Sequence, residues 1–421
     1  MSGADGDPPP QLTDPRATTF ASLVVPQYRR LFVAGLIAFL AVQSQVIARG
    51  WLANELTGTN TGLGGVYMAF GVPMLVATPF GGVLADRLSK RLVIAVCLMG
   101  LAVTAAWIGF GVAFDFVEYW MLLVASALQA LAFAFLGPAR MAMTGQLVGR
   151  ALLPNAIVLG QMSLSTTRVL GPAIAGIAIG ISWIGTAGVY FVSAALTVVA
   201  FAVTLRLPPG HPTAARTRSP VAEFSDGLAY VRRHRDIALL IVTSFLVVMI
   251  GFPYLAFLPR VADGIFDHGA TGYGALSAMS AVGAVSMSLF VAKRAGGAQA
   301  RRIQTTSGFA FGGGLVLLAV TPSFAAALAA VFLVGAAAAG FQSMNNSLVL
   351  ALSDFEYHGR IQSLMLLSFS GFGMAALPLG AAADAIGLRE TLAAMGVLTT
   401  VCMVGYWVAR RPDRPADLAF G

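Results

Sequence analysis

The stretch "GGVLADRLSKR", residues 81–91, places one acid and three bases between two long apolar runs. A mostly apolar run, 66–80, precedes it, and another extends from Leu92 to about Phe114. Charged side chains are costly in hydrocarbon, so a charge cluster at this place marks a turn at a membrane surface between two spanning helices. The stretch therefore predicts a polytopic membrane protein.

The composition of the whole chain supports this prediction. Of the 421 residues, 57% are hydrophobic and only 10% are charged, whereas a soluble protein carries about 25% charged residues. Because so few charges cannot cover a water-facing surface, a soluble multi-domain protein is excluded. The formal net charge of +8 would suggest nucleic acid as a partner of a soluble protein. Here the sidedness of the loops explains the charge, and we expect no nucleic-acid partner.

Twelve apolar segments are long enough to cross a bilayer, which takes roughly 20 residues. Backbone groups in hydrocarbon must bond within their own segment, so each segment is predicted to be a helix and the fold to be all-α. The first six segments are 31–54, 64–85, 91–113, 118–141, 153–180 and 184–206, and the second six are 238–259, 272–292, 301–320, 324–350, 361–383 and 390–409. The longest break, 207–237, is predicted to be a linker with an amphipathic helix on the membrane surface. It separates two six-helix halves, 29–206 and 238–411, and we expect a flexible tail over 1–28 and a short tail over 412–421.

Lysine and arginine residues are sorted to one side of these segments. With the N-terminus placed in the cytoplasm, 22 of the 26 basic residues fall in tails and loops on that side, two (Arg260 and Arg389) fall on the other side, and two (Arg49 and Arg168) lie within segments. This asymmetry follows the positive-inside rule and predicts that both termini are cytoplasmic. The excess of arginine over lysine is typical of a GC-rich bacterial genome. We therefore expect a multi-pass protein of the bacterial cytoplasmic membrane.

A weak internal repeat relates the two halves. The stretches that bridge segments 4 and 5 and segments 10 and 11 both have a long helix ending in polar residues, a short loop with arginine, and a following helix with a Gly/Pro cluster. Those clusters are "GPAIAG" at 171–176 and "LPLGAAAD" at 377–384. Two halves of similar design are typical of a secondary transporter.

The opening stretch has the pattern of a known signature. Residues 82–91, "GVLADRLSKR", resemble the helix 2–3 signature of the major facilitator superfamily, G-x-L-A-D-R-x-G-R-K, and depart from it at Ser89. With twelve segments in two halves, the resemblance covers nearly the whole chain and implies the major facilitator fold. Three further stretches resemble sequences of the bacterial branch that includes siderophore and drug exporters. They are "LGPARMAMTGQLV", "LPNAIVLG" and "HGRIQSL".

The resemblance implies that the charge cluster forms a gating latch, called here the inner latch. In this fold the inner end of helix 2, with Asp86, comes near the start of helix 11. A helix N-terminus favours a negative partner by about 0.3–1 kcal/mol, so the contact would hold the inner end closed. The alternative is that the charges only mark the topology. The candidate latch residues are Gly82, Asp86, Arg87, Lys90, Arg91 and Arg360.

Helix 5 carries a second partial signature. Gly171, Pro172 and Gly176 resemble part of the exporter pattern G-x-x-x-G-P-x-x-G-G, while Thr167 and Ala175 stand where that pattern has glycine. Proline within a helix frees a carbonyl and permits a kink, and glycine permits close packing. We predict a functional bend at this place, with ordinary helix packing as the alternative.

Two arginines within the segments indicate a substrate cavity. A charge at the bilayer centre costs roughly 2.5–3.5 kcal/mol on insertion scales, so each needs a partner or a wet cavity. Arg168 shares one face of helix 5 with Gln161 and Ser165, and Arg49 lies one turn from Gln45 on helix 1. Because both helices border the central cavity in the superfamily, we predict a positively charged wall that suits an anionic or carbonyl-rich substrate. Alternatively, each arginine only holds helices together.

Further candidates for the cavity lie on helices 4 and 10. Exporters often have R-x-x-Q-G on helix 4, with an arginine linked to proton coupling, but here Ser126 stands in the place of that arginine, followed by Gln129 and Ala130. Helix 10 offers polar side chains at spacing i, i+3 and i+4, namely Gln342, Asn345 and Asn346. All 18 acids fall in tails, loops or helix ends, so the segments offer no deeply buried carboxylate for proton antiport.

These features favour a secondary transporter. We expect a gradient-driven exporter, most simply a proton antiporter, that moves small organic molecules such as drugs or siderophores by alternating access. The alternative is an uptake carrier for an anionic metabolite or a lipid or lysolipid flippase of the same fold. The chain has no G-x-x-x-x-G-K-[ST] loop to hydrolyse ATP, and the segments lack the clustered His, Asp, Glu or Cys that an enzyme or metal site would need. We therefore expect no enzyme activity, no cofactor, no metal and a monomer in the bilayer.

Overall fold

The computed structural model describes residues 20–210, 220–292, 297–354 and 357–410, with the side chains of 79, 81–87, 150, 220–224, 292, 297–298, 359–360, 362–363 and 366–370 left undescribed. Within these residues every regular element is helical and no strand occurs. The predicted all-α fold class is therefore confirmed. Long apolar helices are the expected result, because a backbone in hydrocarbon can satisfy its N–H and C=O groups only within its own helix.

Six helices form the first half. They are α1 (Pro26–Thr57), α2 (Asn60–Arg87), α3 (Lys90–Ala113), α4 (Tyr119–Gly149), α5 (Ala151–Gly180) and α6 (Gly185–Leu205). Before α1, a short 3₁₀ turn, Ala21–Val24, contacts the start of α5, because the Ser22 hydroxyl donates to Asn155 Oδ1 over 2.7 Å. This part of the predicted tail thus packs on the bundle.

A short amphipathic helix and six further helices follow. They are α7 (Pro220–Arg233), α8 (Arg235–Ile265), α9 (Gly269–Ala292), α10 (Gly297–Val320), α11 (Phe324–Ala351), α12 (His358–Ile386) and α13 (Leu388–Ala409). Among the described residues, 11 helices are long and apolar enough to cross a membrane. One more helix, α12, completes the predicted twelve: it has 29 residues, and its described apolar part is Gly371–Ile386. The amphipathic stretch predicted on the membrane surface corresponds to α7.

Two helices differ from their predicted bounds for local reasons. The predicted gap between segments 4 and 5 is almost entirely helical, because the chain turns at Gly149 alone, whose φ of 69° and ψ of 176° suit glycine. In the second half, α8 is interrupted at Phe252–Pro253 and ends in a π-helical turn, Val261–Ile265. Proline lacks the N–H that would continue the helix, so the break occurs at Pro253.

The helices alternate in direction between two ends of the bundle. We call the end where α1 begins and α13 ends the inner end, after the predicted sidedness, and the opposite end the outer end. At the inner end Arg91 Nη1 donates to the carbonyl of Leu207, over 3.0 Å. At the outer end the Tyr119 hydroxyl donates to the carbonyl of Gly62, over 2.8 Å. These bonds join neighbouring helices of the first half at each end.

The two halves meet along α2 with α12 and α5 with α9. The surfaces that face away from this seam remain apolar and exposed, as on α3, where Val96, Val103 and Phe110 are each at least half exposed. Such an apolar outer surface suits contact with lipid. Polar side chains are consequently concentrated between helices and at the two ends, where a site can be formed.

Candidate functional site

An exposed polar stripe runs along the middle of α5. It consists of Gln161, Ser165 and Arg168, which recur at i, i+4 and i+7 and are all exposed. Among the described residues, Arg168 has no hydrogen-bond or ion-pair partner, so its guanidinium is free to meet a solute. We call this set the α5 stripe.

Packing contacts on either side show where the α5 stripe points. Gly171 lies against Gln43 of α1, and Gly176 lies against Gly274 of α9, which belongs to the other half. At 3.6 residues per turn, the stripe falls between these two contacts on the helix circumference. The lipid-facing side lies opposite and is apolar, with exposed Leu170, Ile174 and Ile177. The stripe therefore faces the space between the two halves.

The three polar residues predicted on helix 10, which is α11 of the structure, differ in how far they are exposed. Gln342 and Asn346 of α11 are partly exposed, whereas Asn345 is completely buried. The Asn345 Oδ1 accepts a long hydrogen bond of 3.5 Å from Nε2 of Gln304, on α10. Asn345 is thus turned into the second-half bundle. Asn346 and part of Gln342 reach accessible surface, although Oε1 of Gln342 is buried.

A second polar group, the buried donor cluster, lies between α1 and α4. Its members are Gln45, Arg49, Ser126 and Gln129, of which Gln45 is 2%, Arg49 5% and Gln129 3% exposed. The Arg49 Nη1 donates to the Ser126 hydroxyl over 2.9 Å. Three further donors of the cluster, Gln45 Nε2, Arg49 Nε and Gln129 Nε2, are buried without a partner. The structure therefore separates Arg49 from the accessible α5 stripe.

The contact between Arg49 and Ser126 bears on the incomplete helix 4 signature. Ser126 stands where the exporter pattern has arginine, and the structure brings the guanidinium of Arg49 from α1 to that place. The spacing of residues on α4 could not reveal this contact, because 77 positions separate the two residues. A positive charge is thus present there although the motif lacks it.

Aromatic side chains form a further surface that the sequence did not single out as a unit. Phe133 of α4 lies 6.3 Å from Phe39 of α1 and 6.2 Å from Phe70 of α2, measured between ring centroids. The guanidinium carbon of Arg140 lies 4.7 Å from the Phe39 ring centroid, a cation–π geometry. The sequence placed Arg140 among the basic residues of the inner loops. In the structure it lies within α4 and packs on Gly35 of α1.

At the outer end one carboxylate joins the two halves. Asp384, near the end of α12, accepts from the backbone N–H and side-chain amide of Asn60 through Oδ1, both over 2.8 Å. Its Oδ2 accepts from the backbone N–H of Thr61 over 2.8 Å and from the Thr61 hydroxyl over 2.6 Å. Asn60 and Thr61 begin α2, so an acid of the second half caps a helix of the first. We call these three residues the outer latch.

Other contacts close the same end. Asn54 Nδ2 donates to Asp263 Oδ2 over 2.9 Å, which joins α1 to α8. On the seam of α2 with α12, Gly64 lies against the backbone of Ala376, and Gly373 lies against Gly71. Backbones can approach this closely because glycine has no side chain. The bundle is therefore closed at its outer end, while the α5 stripe remains accessible.

Most of the inner latch lies outside the described side chains. This applies to Gly82, Asp86, Arg87 and Arg360. The other two predicted members contact the first half: Lys90 is fully buried beside Gly210, and Arg91 donates to the carbonyls of Leu205 and Leu207. These contacts join the start of α3 to the chain that follows α6.

The predicted bend in α5 is continuous helix around Pro172. Gly171 and Gly176 are buried, and they mark the α1 contact and the α9 contact described above.

Among the residues that the structure describes, no group of three or more His, Cys, Asp or Glu side chains could hold a metal ion.

Comparisons with known proteins place these features in a family. The profile of the family described as Major Facilitator Superfamily matches residues 31–378. The Staphyloferrin A transporter of Staphylococcus aureus is 22% identical over 390 residues, which cover 90% of this chain and 96% of that protein. Multidrug resistance protein 1 of Bacillus subtilis is 25% identical over 179 residues, 42% of this chain and 44% of that protein.

Solved structures show the same fold at low sequence identity. The nucleoside transporter NupG superposes with a TM-score of 0.70 at 14% identity, covering 91% of this chain and 98% of that one. A bacterial homolog of the human lysosomal transporter Spinster, inward-facing and unoccupied, superposes with a TM-score of 0.69 at 14% identity, covering 91% of this chain and 96% of that one.

Proposed function

The chain belongs to the Major Facilitator Superfamily, a family of secondary transporters, and from that premise we propose that it is a gradient-driven exporter of small organic molecules that carry an anionic group. The substrate binds between the two halves, and rocking of the halves exposes it to either side of the membrane in turn. The protein lies in the bacterial cytoplasmic membrane as a monomer with both termini in the cytoplasm.

The observation that supports an anionic substrate is the position of Arg168. Its exposed guanidinium lies mid-bundle on the α5 stripe, faces the other half and has no acidic partner among the described residues. Guanidinium groups bind carboxylates and phosphates through paired hydrogen bonds. Gln161 and Ser165 add neutral polar groups on the same face, and Gln342 and Asn346 supply polar groups from the opposite half.

The names of the relatives support transport of an organic molecule. One relative is named for staphyloferrin A and the other for multidrug resistance. The proton gradient drives transport in this proposal. The direction is outward, by analogy with the drug and siderophore exporters that the sequence resembles. Three acids that could serve in coupling lie toward the outer end of the described bundle, Glu55, Asp263 and Asp384.

Replacing Arg168 with alanine is expected to lower the initial rate of transport about fivefold. In a wet cavity a charge pair contributes about 1 kcal/mol, and that free energy corresponds to about a fivefold change in affinity or rate. The measurement is uptake of an anionic substrate into inside-out vesicles, which corresponds to export from the cell. The substrate is found by screening drugs and siderophores in a strain that lacks other pumps. Arg168→Lys should retain part of the activity, since it keeps the charge.

The matched control is Arg206→Ala, which removes the same charge from an exposed position at the inner end of α6. It should transport at the wild-type rate. Normal transport by Arg168→Ala, in protein inserted to the same level, would contradict the proposed role of the α5 stripe.

The predicted orientation of the protein in the membrane can be tested by thiol labelling. In a background without Cys97 and Cys402, a cysteine replacing the exposed Arg232 of α7 should react with a membrane-impermeant reagent only after the cells are opened. A cysteine replacing the exposed Phe116, in the turn between α3 and α4, should react in intact cells. Labelling of the Arg232 position in intact cells would place the linker outside and overturn the predicted orientation.

A further inference from the structure

The buried donor cluster has an excess of hydrogen-bond donors. Gln45 and Arg49 lie one turn apart on α1, and Ser126 and Gln129 lie one turn apart on α4. The bond from Arg49 to Ser126 aligns the two pairs, so the glutamines lie at one depth, one turn closer to the inner end. Three N–H donors, on Gln45, Arg49 and Gln129, make no hydrogen bond although each side chain is more than nine-tenths buried. The buried hydroxyl of Tyr190 lies near the Arg49 guanidinium, but it is neutral and cannot balance the charge.

The charge of Arg49 also lacks a counter-ion among the described residues. Two acids of the neighbouring outer part of α1 and α8, Glu55 and Asp263, lie further toward the outer end and are engaged elsewhere. Glu55 accepts from the indole N–H of Trp51, and Asp263 accepts from Asn54. A buried charge is costly unless it is paired, and buried donors are normally satisfied. A water molecule could accept hydrogen bonds at this place, but it would leave the positive charge uncompensated.

We propose that the buried donor cluster binds a small monovalent anion, of the size of chloride or formate, at a site separate from the α5 stripe. Such an anion would accept from Gln45 Nε2, Arg49 Nε and Gln129 Nε2 and would neutralise Arg49. A carboxylate would use two oxygens for this purpose, whereas a halide would accept all three bonds at one centre.

The site differs from the proposed substrate site in depth as well as in exposure. Gly171 of α5 contacts Gln43 of α1, and both helices run from the inner end to the outer end. Arg168 lies three residues inward of Gly171, and Arg49 lies six residues outward of Gln43. At a rise of 1.5 Å per residue, the two arginines are about 13 Å apart along the bundle. An anion in the cluster would thus be occluded beneath the closed outer end.

Binding can be measured on the purified full-length protein without a transport assay. The midpoint of thermal unfolding is recorded at constant ionic strength while sodium gluconate is replaced by sodium chloride or by sodium formate. We expect a saturable increase of the midpoint with at least one of the two anions. A response to formate alone would indicate a carboxylate site, and a response to chloride alone would indicate a halide site.

Variants assign the response to the cluster. Arg49→Gln should abolish the anion-dependent increase, whereas Arg168→Gln, which removes one cation from the α5 stripe, should retain it. Gln129→Leu keeps Arg49 and removes one donor, so the apparent dissociation constant should rise about tenfold. This second variant tests the site even if Arg49→Gln does not fold.

The proposal is wrong if neither anion changes the unfolding midpoint of the wild-type protein, or if Gln129→Leu responds like wild type. It is also wrong if Arg168→Gln abolishes the response, since that result would place the anion at the α5 stripe. None of these outcomes depends on the transport function proposed above, which the Arg168→Ala efflux assay tests separately.

Discussion

Replacing Gly176 with valine should nearly abolish transport and leave the protein folded in the membrane. Gly176 of α5 and Gly274 of α9 approach each other backbone to backbone, and a Cβ built on either glycine would meet the Cα of the other. A valine side chain would push the two helices apart at the seam between the halves. Overpacking of this kind costs about 1–3 kcal/mol, which corresponds to a shift of about 5- to 150-fold against the closed outer end.

The reason for a large functional effect is that alternating access needs both closed states. The seam of α5 with α9 helps to close the outer end, so a wedge at this seam disfavours one of the two conformations through which each cycle must pass. The initial rate of substrate uptake into inside-out vesicles measures the loss. Membrane insertion and size-exclusion behaviour of the purified variant show whether the fold is intact.

A control for this substitution is available on the same helix. Gly160 also lies on α5, but a Cβ at its position has no heavy atom within 4 Å. Gly160→Val should therefore transport at close to the wild-type rate, since the added side chain meets open space. Equal rates for Gly176→Val and Gly160→Val would show that the close approach of α5 and α9 is not needed for the cycle.

The fold could be predicted from the sequence because its determinants are local. Each spanning helix is specified by about 20 apolar residues in a row and by the turn residues on either side. The described bundle has the predicted helices, and the largest deviation is the gap after segment 4. There the stretch 142–148, in which only Thr144 and Gln146 have polar side chains, continues α4 up to Gly149, and the conformation of that glycine ends the helix.

The roles of individual polar residues could be predicted only in part, because they depend on how each helix is rotated against its neighbours. Arg49 and Arg168 look alike in the sequence, each in an apolar segment with glutamine on the same face. In the structure Arg168 is exposed between the halves, whereas Arg49 is buried against Ser126. Asn345 and Asn346 are neighbours in sequence, yet only Asn346 reaches accessible surface.

The outer latch shows the same dependence on long-range contacts. Asp384 could be recognised from the sequence as an acid near the membrane edge, but its partners Asn60 and Thr61 are more than 320 positions away. The outer latch joins α2 and α12. The inner latch is expected to join the same two helices through Asp86, because α12 is the helix numbered 11 in the sequence. In each case an acid at the end of one helix meets the start of the other, so one type of contact would serve at both ends of the bundle.

Replacing Asp384 with asparagine is expected to open the outer end and to raise the accessibility of the pathway beneath it about five- to thirtyfold. One carboxylate oxygen would become an amide nitrogen, which cannot accept the two hydrogen bonds that it now receives. The negative charge at the start of α2 would also be lost. Loss of such a cap costs about 1–2 kcal/mol, and that range corresponds to the stated change in the equilibrium.

A cysteine replacing the buried Ser277 of α9 reports this opening, because it lies one turn below Tyr273, which packs on Gly50 at the outer part of α1. In a background without Cys97 and Cys402, its rate of reaction with an impermeant thiol reagent added from outside should rise in Asp384→Asn. The matched control is Asp267→Asn, which removes the same charge from the turn before α9. If both variants raise the labelling rate equally, the effect comes from outer surface charge and the hydrogen bonds of Asp384 do not hold the end closed. An increase confined to Asp384→Asn would instead tie closure of the outer end to the carboxylate that caps α2.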